Sequence, residues 1–184
     1  LFGNSIQEKY PDPLNKTNAR FAIAKTYFDE GYYGDAIAAF EEIADSTSEP
    51  KIDIESYRWI GHSYAKQTQA ATAVDYFDKA IEVAREEVEN TTQSLDYQLQ
   101  MLASKASVYR ASSEFKKARD VFKTTLNLVD SVTGISGLEP VKEDAVLNWA
   151  NSYVWAGDFI TSAPLYDQLQ DNPHIMEQTK PRLI

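Results

Sequence analysis

Residues 24–40 read AKTYFDEGYYGDAIAAF, and this stretch decides the fold because its spacing recurs along the chain. A small residue is followed by an aromatic residue three positions later, by a second small residue nine positions after that, and by a second aromatic four positions further on. The pattern occurs four times, as Ala24-Tyr27-Ala36-Phe40, Gly61-Tyr64-Ala73-Phe77, Ala106-Tyr109-Ala118-Phe122 and Ala150-Tyr153-Ser162-Tyr166. A chance match has a probability of about one in a thousand per register, so four copies indicate an internal repeat.

The spacing within each copy predicts a pair of helices. Residues three or four apart share one helix face, and nine positions that contain a turn signal match a tight helix-turn-helix. The small residues are expected where the two helices cross, with the four tyrosines packed between helices and Trp149 in the core. The predicted helices are residues 17–30, 33–47, 52–67, 70–91, 96–112, 115–131, 140–156 and 159–171. Pro164 is expected to delay the start of the last helix or to kink it.

These motifs resemble the tetratricopeptide repeat (TPR) over roughly residues 17–172. The copies begin at Ala24, Gly61, Ala106 and Ala150, which are 37, 45 and 44 residues apart, against a standard period of about 34 residues. The long period resembles the repeats of kinesin light chains and of bacterial peptide-sensing regulators. HEAT-like repeats share this period but lack the small and aromatic signature, so they are the alternative fold.

The resemblance implies an all-α fold, a right-handed α-solenoid of about four antiparallel helix pairs in a TPR-like superhelix. We expect a lead-in segment at residues 1–16 and a single array at residues 17–172. Its units are predicted at about 17–50, 54–92, 96–132 and 140–172. Residues 173–184 are expected to form a cap or an incomplete fifth unit.

Composition excludes several classes of function. The chain has 184 residues and no cysteine, which excludes disulfides, thiolate metal sites and a cysteine nucleophile. Its formal charge of −10 disfavours nucleic acid as a partner. No apolar run is long enough to span a bilayer, so no membrane insertion is expected. The missing cysteines favour a cytoplasmic location.

Sequence motifs for catalysis are also missing. The chain has no phosphate-binding glycine loop, no dinucleotide fingerprint and no nucleophile elbow. His174 and Glu177 could share a helix face, but two ligands make an incomplete metal site. We therefore expect no enzyme, no catalytic residue, no metal and no cofactor.

Protein binding is the function that the resemblance implies. In TPR arrays the first helix of each pair lines a concave groove, and the corresponding positions here hold Lys25, Phe28, Arg58, Trp59, His62, Lys66, Arg110, Asn148, Asn151 and Trp155. Cations can bind carboxylates, asparagine can hold backbone amides, and tryptophan can contact apolar side chains. This set predicts an interaction scaffold that binds an extended peptide or protein segment, acidic or carboxylate-ended.

Three alternatives stay open at this point. The groove residues could be an ordinary solvated surface on a scaffold whose partner binds elsewhere. The chain could be an assembly element that self-associates through its C-terminal end, near residues 149–184. It could also be the sensor or regulatory segment of a larger multidomain protein.

Overall fold

The computed structural model describes residues 13–46 and 49–167, and these residues form eight α-helices and no β-strand. The helices are α1 (Pro13–Asp29), α2 (Tyr33–Asp45), α3 (Pro50–Lys66), α4 (Ala70–Glu87), α5 (Thr91–Ala111), α6 (Phe115–Ser131), α7 (Glu139–Trp155) and α8 (Phe159–Asp167). The chain divides into two compact units, Leu1–Ser104 and Lys105–Ile184, and the boundary falls inside α5. The prediction of an all-α fold built from helix pairs is confirmed.

Consecutive helices pack against one another within each unit. In the first unit α1 packs on α2, α2 on α3 and α3 on α4, and in the second unit α6 packs on α7 and α7 on α8. Proline stands in the first turn of α3 and of α7, where its missing N–H breaks no helical hydrogen bond.

The helix crossings in the first unit are built from the small residues of the repeat. Ala24 and Ala36 are completely buried, and the Phe40 ring fills the space beside them. The second crossing is tighter, because a Cβ atom added to Gly61 would lie 2.7 Å from Cε1 of Phe77. Any side chain larger than that of glycine would therefore press on the Phe77 ring and force it or the helices to shift.

The second unit repeats this arrangement with larger variation. Ala118 and Ala150 are completely buried, and Ser162 is nearly so. Tyr166, where the earlier copies have phenylalanine, is half-buried. Its hydroxyl group donates a hydrogen bond to Oδ1 of Asn151 (2.6 Å), which satisfies the polar group that the phenylalanines lack.

The turn between the two helices has one geometry in all four repeats. The residue seven positions after the first small residue has a positive φ angle each time: Gly31 (83°), Thr68 (62°), Ser113 (60°) and Gly157 (80°). The next residue donates its N–H to the carbonyl oxygen of the repeat tyrosine, as Tyr32 does to Tyr27 (2.8 Å) and Gln69 to Tyr64 (2.9 Å). This is the Schellman helix ending. Thr68 and Ser113 are therefore held in a conformation that favours glycine.

Several helix boundaries differ from the predicted ones. The first helix begins at Pro13 rather than at residue 17, so it includes the end of the predicted lead-in segment. The break after α4 is displaced, because α4 ends at Glu87 and α5 begins at Thr91 instead of residue 96. Asn90 is the reason: its Oδ1 accepts a hydrogen bond from the N–H of Gln93 (2.9 Å) and caps α5.

Pro164 does not delay the start of the last helix. The helix begins at Phe159, as predicted, and continues through Pro164 to Asp167. Proline has no N–H, so the carbonyl of Ile160 loses its helical donor. The predicted end of this helix at residue 171, and the predicted cap at residues 173–184, lie outside the described residues.

The prediction of an interhelix packing role is wrong for one of the four tyrosines. Tyr27 is 40% exposed, whereas Tyr64 stacks on Tyr76 with ring centroids 5.5 Å apart. The position of Tyr76 in the first repeat is occupied by Ala39, so Tyr27 has no corresponding ring to pack on. Trp149, predicted in the core, is only half-buried, and Lys123 Nζ lies 5.4 Å from its ring centroid.

Candidate functional site

In the first unit, the predicted binding residues converge on Trp59. The Lys25 ammonium lies 4.2 Å from the centroid of its indole ring. The Phe28 ring meets Trp59 edge-on at 5.0 Å, and Phe40 stacks on it at 6.3 Å. These neighbours cover much of the half-buried Trp59 ring. The ring therefore orients charged side chains and leaves less apolar surface for a ligand to contact.

Arg58 is held by three neighbours. Its Nη2 atom lies 2.6 Å from a carboxylate oxygen of Glu55, and its Nη1 atom donates a hydrogen bond to Gln100 Oε1 (3.3 Å). The guanidinium carbon lies 5.3 Å from the Trp59 ring centroid. These contacts restrict Arg58 to one arrangement, which lowers the entropy that a ligand would have to remove.

Two of the predicted cations have an acidic partner on their own helix. Arg58 pairs with Glu55, and Lys25 Nζ lies 3.3 Å from a carboxylate oxygen of Asp29. Each pair cancels much of the positive field that the cation would present to a ligand. Lys66, exposed at the end of α3, forms no ion pair with any residue that the structure describes.

His62 is half-buried between two aromatic rings, with centroids 5.9 Å from Trp59 and 5.1 Å from Phe77. Burial, together with the nearby positive charges of Arg58 and Lys66, lowers the pKa of its imidazole to about 4. His62 is therefore neutral at pH 7. It can offer a ligand an uncharged hydrogen-bonding nitrogen but no positive charge.

In the second unit, Arg110 and Trp155 come together. The Arg110 guanidinium carbon lies 5.4 Å from the Trp155 ring centroid, and Phe115 lies 6.3 Å from the same ring. The two predicted amides are already partly engaged. Asn148 Nδ2 donates to the backbone carbonyl of Asp144 (2.8 Å), and Asn151 accepts from Tyr166. Each amide keeps one group for a ligand.

One residue of this arrangement was not among the predicted binding residues. Gln100 contacts Arg58, and its amide nitrogen donates to Asp96 (2.9 Å). A sequence signal exists, because Gln100 and Glu55 both stand six positions before the first small residue of their repeats. Both contact Arg58, so this register position supplies acceptors for that arginine.

A metal centre has no support in the described ranges 13–46 and 49–167, where no three histidine, aspartate or glutamate side chains are grouped to hold an ion. His174 and Glu177 lie outside those ranges. Among the helices that the structure describes, none is long and apolar enough to cross a membrane.

Sequence comparison finds a family model that matches two segments of the chain. Residues 17–48 and 54–87 each match the tetratricopeptide repeat model. These two segments are similar to tetratricopeptide repeats. They coincide with the helix pairs α1–α2 and α3–α4, so the TPR assignment made from the residue pattern is confirmed. TPRs generally mediate interactions between proteins, and TPR scaffolds are typically non-enzymatic.

The fold is similar to that of solved proteins with TPR-like repeats. One similar structure is a crystal structure of a putative kinesin light chain from Podosopora anserina with nearly identical TPR-like repeats. Its sequence is 15% identical to this chain, the TM-score is 0.66, and the match covers 98% of this chain and 84% of that chain. A variant of the same protein is 16% identical with a TM-score of 0.66, covering 96% and 83%. No curated protein matches the chain in sequence. At this identity the similarity establishes the TPR-like fold alone.

Proposed function

We propose that the chain is a non-enzymatic scaffold that binds an extended peptide or protein segment along the first helices of its repeats. The observation that supports this proposal is the convergence of Lys25, Phe28, Arg58 and His62 around Trp59. Side chains that come from two different helices and are oriented by one ring offer a ligand an organised surface.

The chemistry of this surface favours a ligand that carries carboxylates. Lys25 and Arg58 are already positioned to bind carboxylates, because each holds one of its own. A ligand carboxylate would displace or share Asp29 or Glu55, and such an exchange costs little because one charge-assisted hydrogen bond replaces another. Lys66 has no acidic partner among the described residues, so we expect it to contribute the largest net attraction.

Arg110, Trp155, Asn148 and Asn151 of the second unit are proposed to contact the same class of ligand. Arg110 has no ion pair among the residues that the structure describes, and each asparagine has one free amide group there. An asparagine amide matches the N–H and C=O groups of an extended peptide backbone.

Fluorescence anisotropy with a fluorescein-labelled peptide of alternating glutamate and leucine, which ends in a free carboxylate, tests the proposal. Lys66→Glu is expected to weaken binding about tenfold or more, since a charge-assisted contact becomes a repulsion. Lys116→Glu is the matched control: Lys116 is also exposed but lies on α6, outside the predicted groove set. Equal affinities of the wild type and Lys66→Glu, or equal losses in both variants, would refute the groove proposal.

Self-association through the C-terminal end is the second candidate function. The observation that favours it is the exposure of large apolar side chains at the turn between α7 and α8. The alternative role as a regulatory segment of a larger protein, and the cytoplasmic location, stay predictions.

A further inference from the structure

The turn between α7 and α8 carries three large apolar side chains that are exposed in the described part of the second unit. Trp155 is 36% exposed, Phe159 is 66% exposed and Ile160 is 89% exposed. We call these three residues the α7–α8 corner. A single exposed apolar residue is ordinary on a protein surface, but three within six consecutive positions form a patch of the kind that marks an interaction site.

The preceding repeat shows how this fold covers such a position. Phe115 is the first residue of α6, as Phe159 is of α8, and the two are 44 residues apart, the same distance that separates Ala106 from Ala150. Phe115 is half-buried, and Trp155 lies against its ring at 6.3 Å. No ring among the described residues covers Phe159 in this way. Phe159 therefore occupies the position of Phe115 in its repeat but lacks, within the described ranges, a counterpart of the aromatic ring that packs against Phe115.

The charges beside the corner are complementary to each other. The Arg110 guanidinium lies over Trp155 and has no ion pair in the described part of the chain. Asp158 lies in sequence between Trp155 and Phe159, and hydrogen bonds from the hydroxyl and backbone N–H of Thr161 lower the pKa of its carboxyl group. The positive charge of Arg119 in the same chain acts on Asp158 in the same direction. A cation and an anion beside an apolar patch suit a two-fold contact, in which each charge faces its opposite.

We propose that the occupant of the α7–α8 corner is the same corner of a second copy of this chain. This inference deepens the self-association proposed as the second candidate function. In the symmetric pair, Trp155 of each copy covers Phe159 of the other and repeats the contact that Trp155 makes with Phe115. Arg110 of each copy faces Asp158 of the other. Local charge balance permits this contact although the whole chain carries a formal charge of −10.

Sedimentation equilibrium on the full chain, at concentrations from micromolar to near-millimolar, tests the proposal. We expect a reversible dimer, and Ile160→Asp is expected to raise its dissociation constant about tenfold or more, because a charge replaces an apolar side chain at the centre of the contact. Arg110→Glu provides a second variant, expected to weaken the dimer by repulsion from Asp158. Tyr32→Asp is the matched control, since Tyr32 is 60% exposed at the equivalent turn of the first repeat; its dimer should be unchanged.

Each other outcome overturns the proposal in a recognisable way. A monomer at every concentration removes both the corner contact and self-association. A dimer that withstands both Ile160→Asp and Arg110→Glu, or one that Tyr32→Asp disrupts equally, shows self-association through another surface and refutes only the corner. If the chain is a monomer and Ile160→Asp lowers its melting temperature by several degrees, then Ile160 packs against other residues of the same chain. In that case the chain's own residues cover the corner.

Discussion

Replacing Gly61 with alanine separates the effect of packing from the effect of helix propensity. Gly61 lies inside α3, where alanine is intrinsically favoured over glycine by about 1 kcal/mol. The added methyl group would lie 2.7 Å from Cε1 of Phe77 and 3.0 Å from both Cδ1 and Cζ. Phe77 is completely buried, so its ring cannot move aside into solvent.

The structure predicts that packing outweighs propensity. Overpacking a well-filled core by one methyl group costs about 1–3 kcal/mol. After the gain in propensity is subtracted, we expect Gly61→Ala to lower the free energy of unfolding by about 1 kcal/mol. Gly34→Ala is the matched control: Gly34 also lies in a helix, α2, but nothing is within 4 Å of an added Cβ. That variant should be stabilised by about 0.5–1 kcal/mol.

Urea unfolding followed by circular dichroism at 222 nm measures both effects, and a double-mutant cycle identifies the cause. Phe77→Leu removes the ring edge that meets the new methyl group. In that background Gly61→Ala should therefore be less destabilising, or even stabilising, with a coupling energy of about 1–3 kcal/mol. If Gly61→Ala stabilises the wild type as much as Gly34→Ala does, the reasoning about this helix crossing is wrong.

Two further predictions concern the turns and an acidic cluster. Thr68→Gly should raise the free energy of unfolding by about 0.5–1 kcal/mol, since Thr68 has a positive φ angle. Gly31→Ala should lower it by a similar amount. If the urea midpoints of the two variants do not move in opposite directions, the turn assignment is wrong. Burial, with help from the charges of Glu87 and Glu49, raises the pKa of the Asp53 carboxyl group to about 6. The folded state therefore binds this proton more tightly than the unfolded state does, and the free energy of unfolding should rise as the pH falls from about 6 towards about 4. Asp53→Asn should raise stability at pH 7 and remove this pH dependence, and equal pH profiles of wild type and variant would count against it.

Residue spacing predicted the positions of the binding candidates but not their contacts with other helices. The repeat register placed Lys25, Arg58 and Trp59 on first helices, and the structure brings these three side chains together. Asp29 and Glu55 neutralise two of the cations, and each lies three or four residues from its partner on the same helix, a spacing that favours ion pairs. Spacing along one helix does not indicate contacts with other helices, such as the hydrogen bond from Arg58 to Gln100.

Tyr27 and Tyr64 show the same limit within the core. Both occupy the same repeat position, yet one is 40% exposed and the other stacks on Tyr76. The difference arises twelve residues later in the chain, where the first repeat has Ala39 and the second has Tyr76. A repeat pattern describes what its members share, so it cannot predict what one differing neighbour changes.

The sequence by itself determined the helix pairs, the crossings at small residues and the site of each turn, because these depend on the helical period and on residue size over a few neighbouring positions. Only the tertiary structure decided that His62 is neutral, that the Trp59 ring orients charged side chains and that Phe159 and Ile160 are exposed. Burial and pKa are sums over neighbours that come from helices distant in sequence. They therefore take definite values only once those helices have packed.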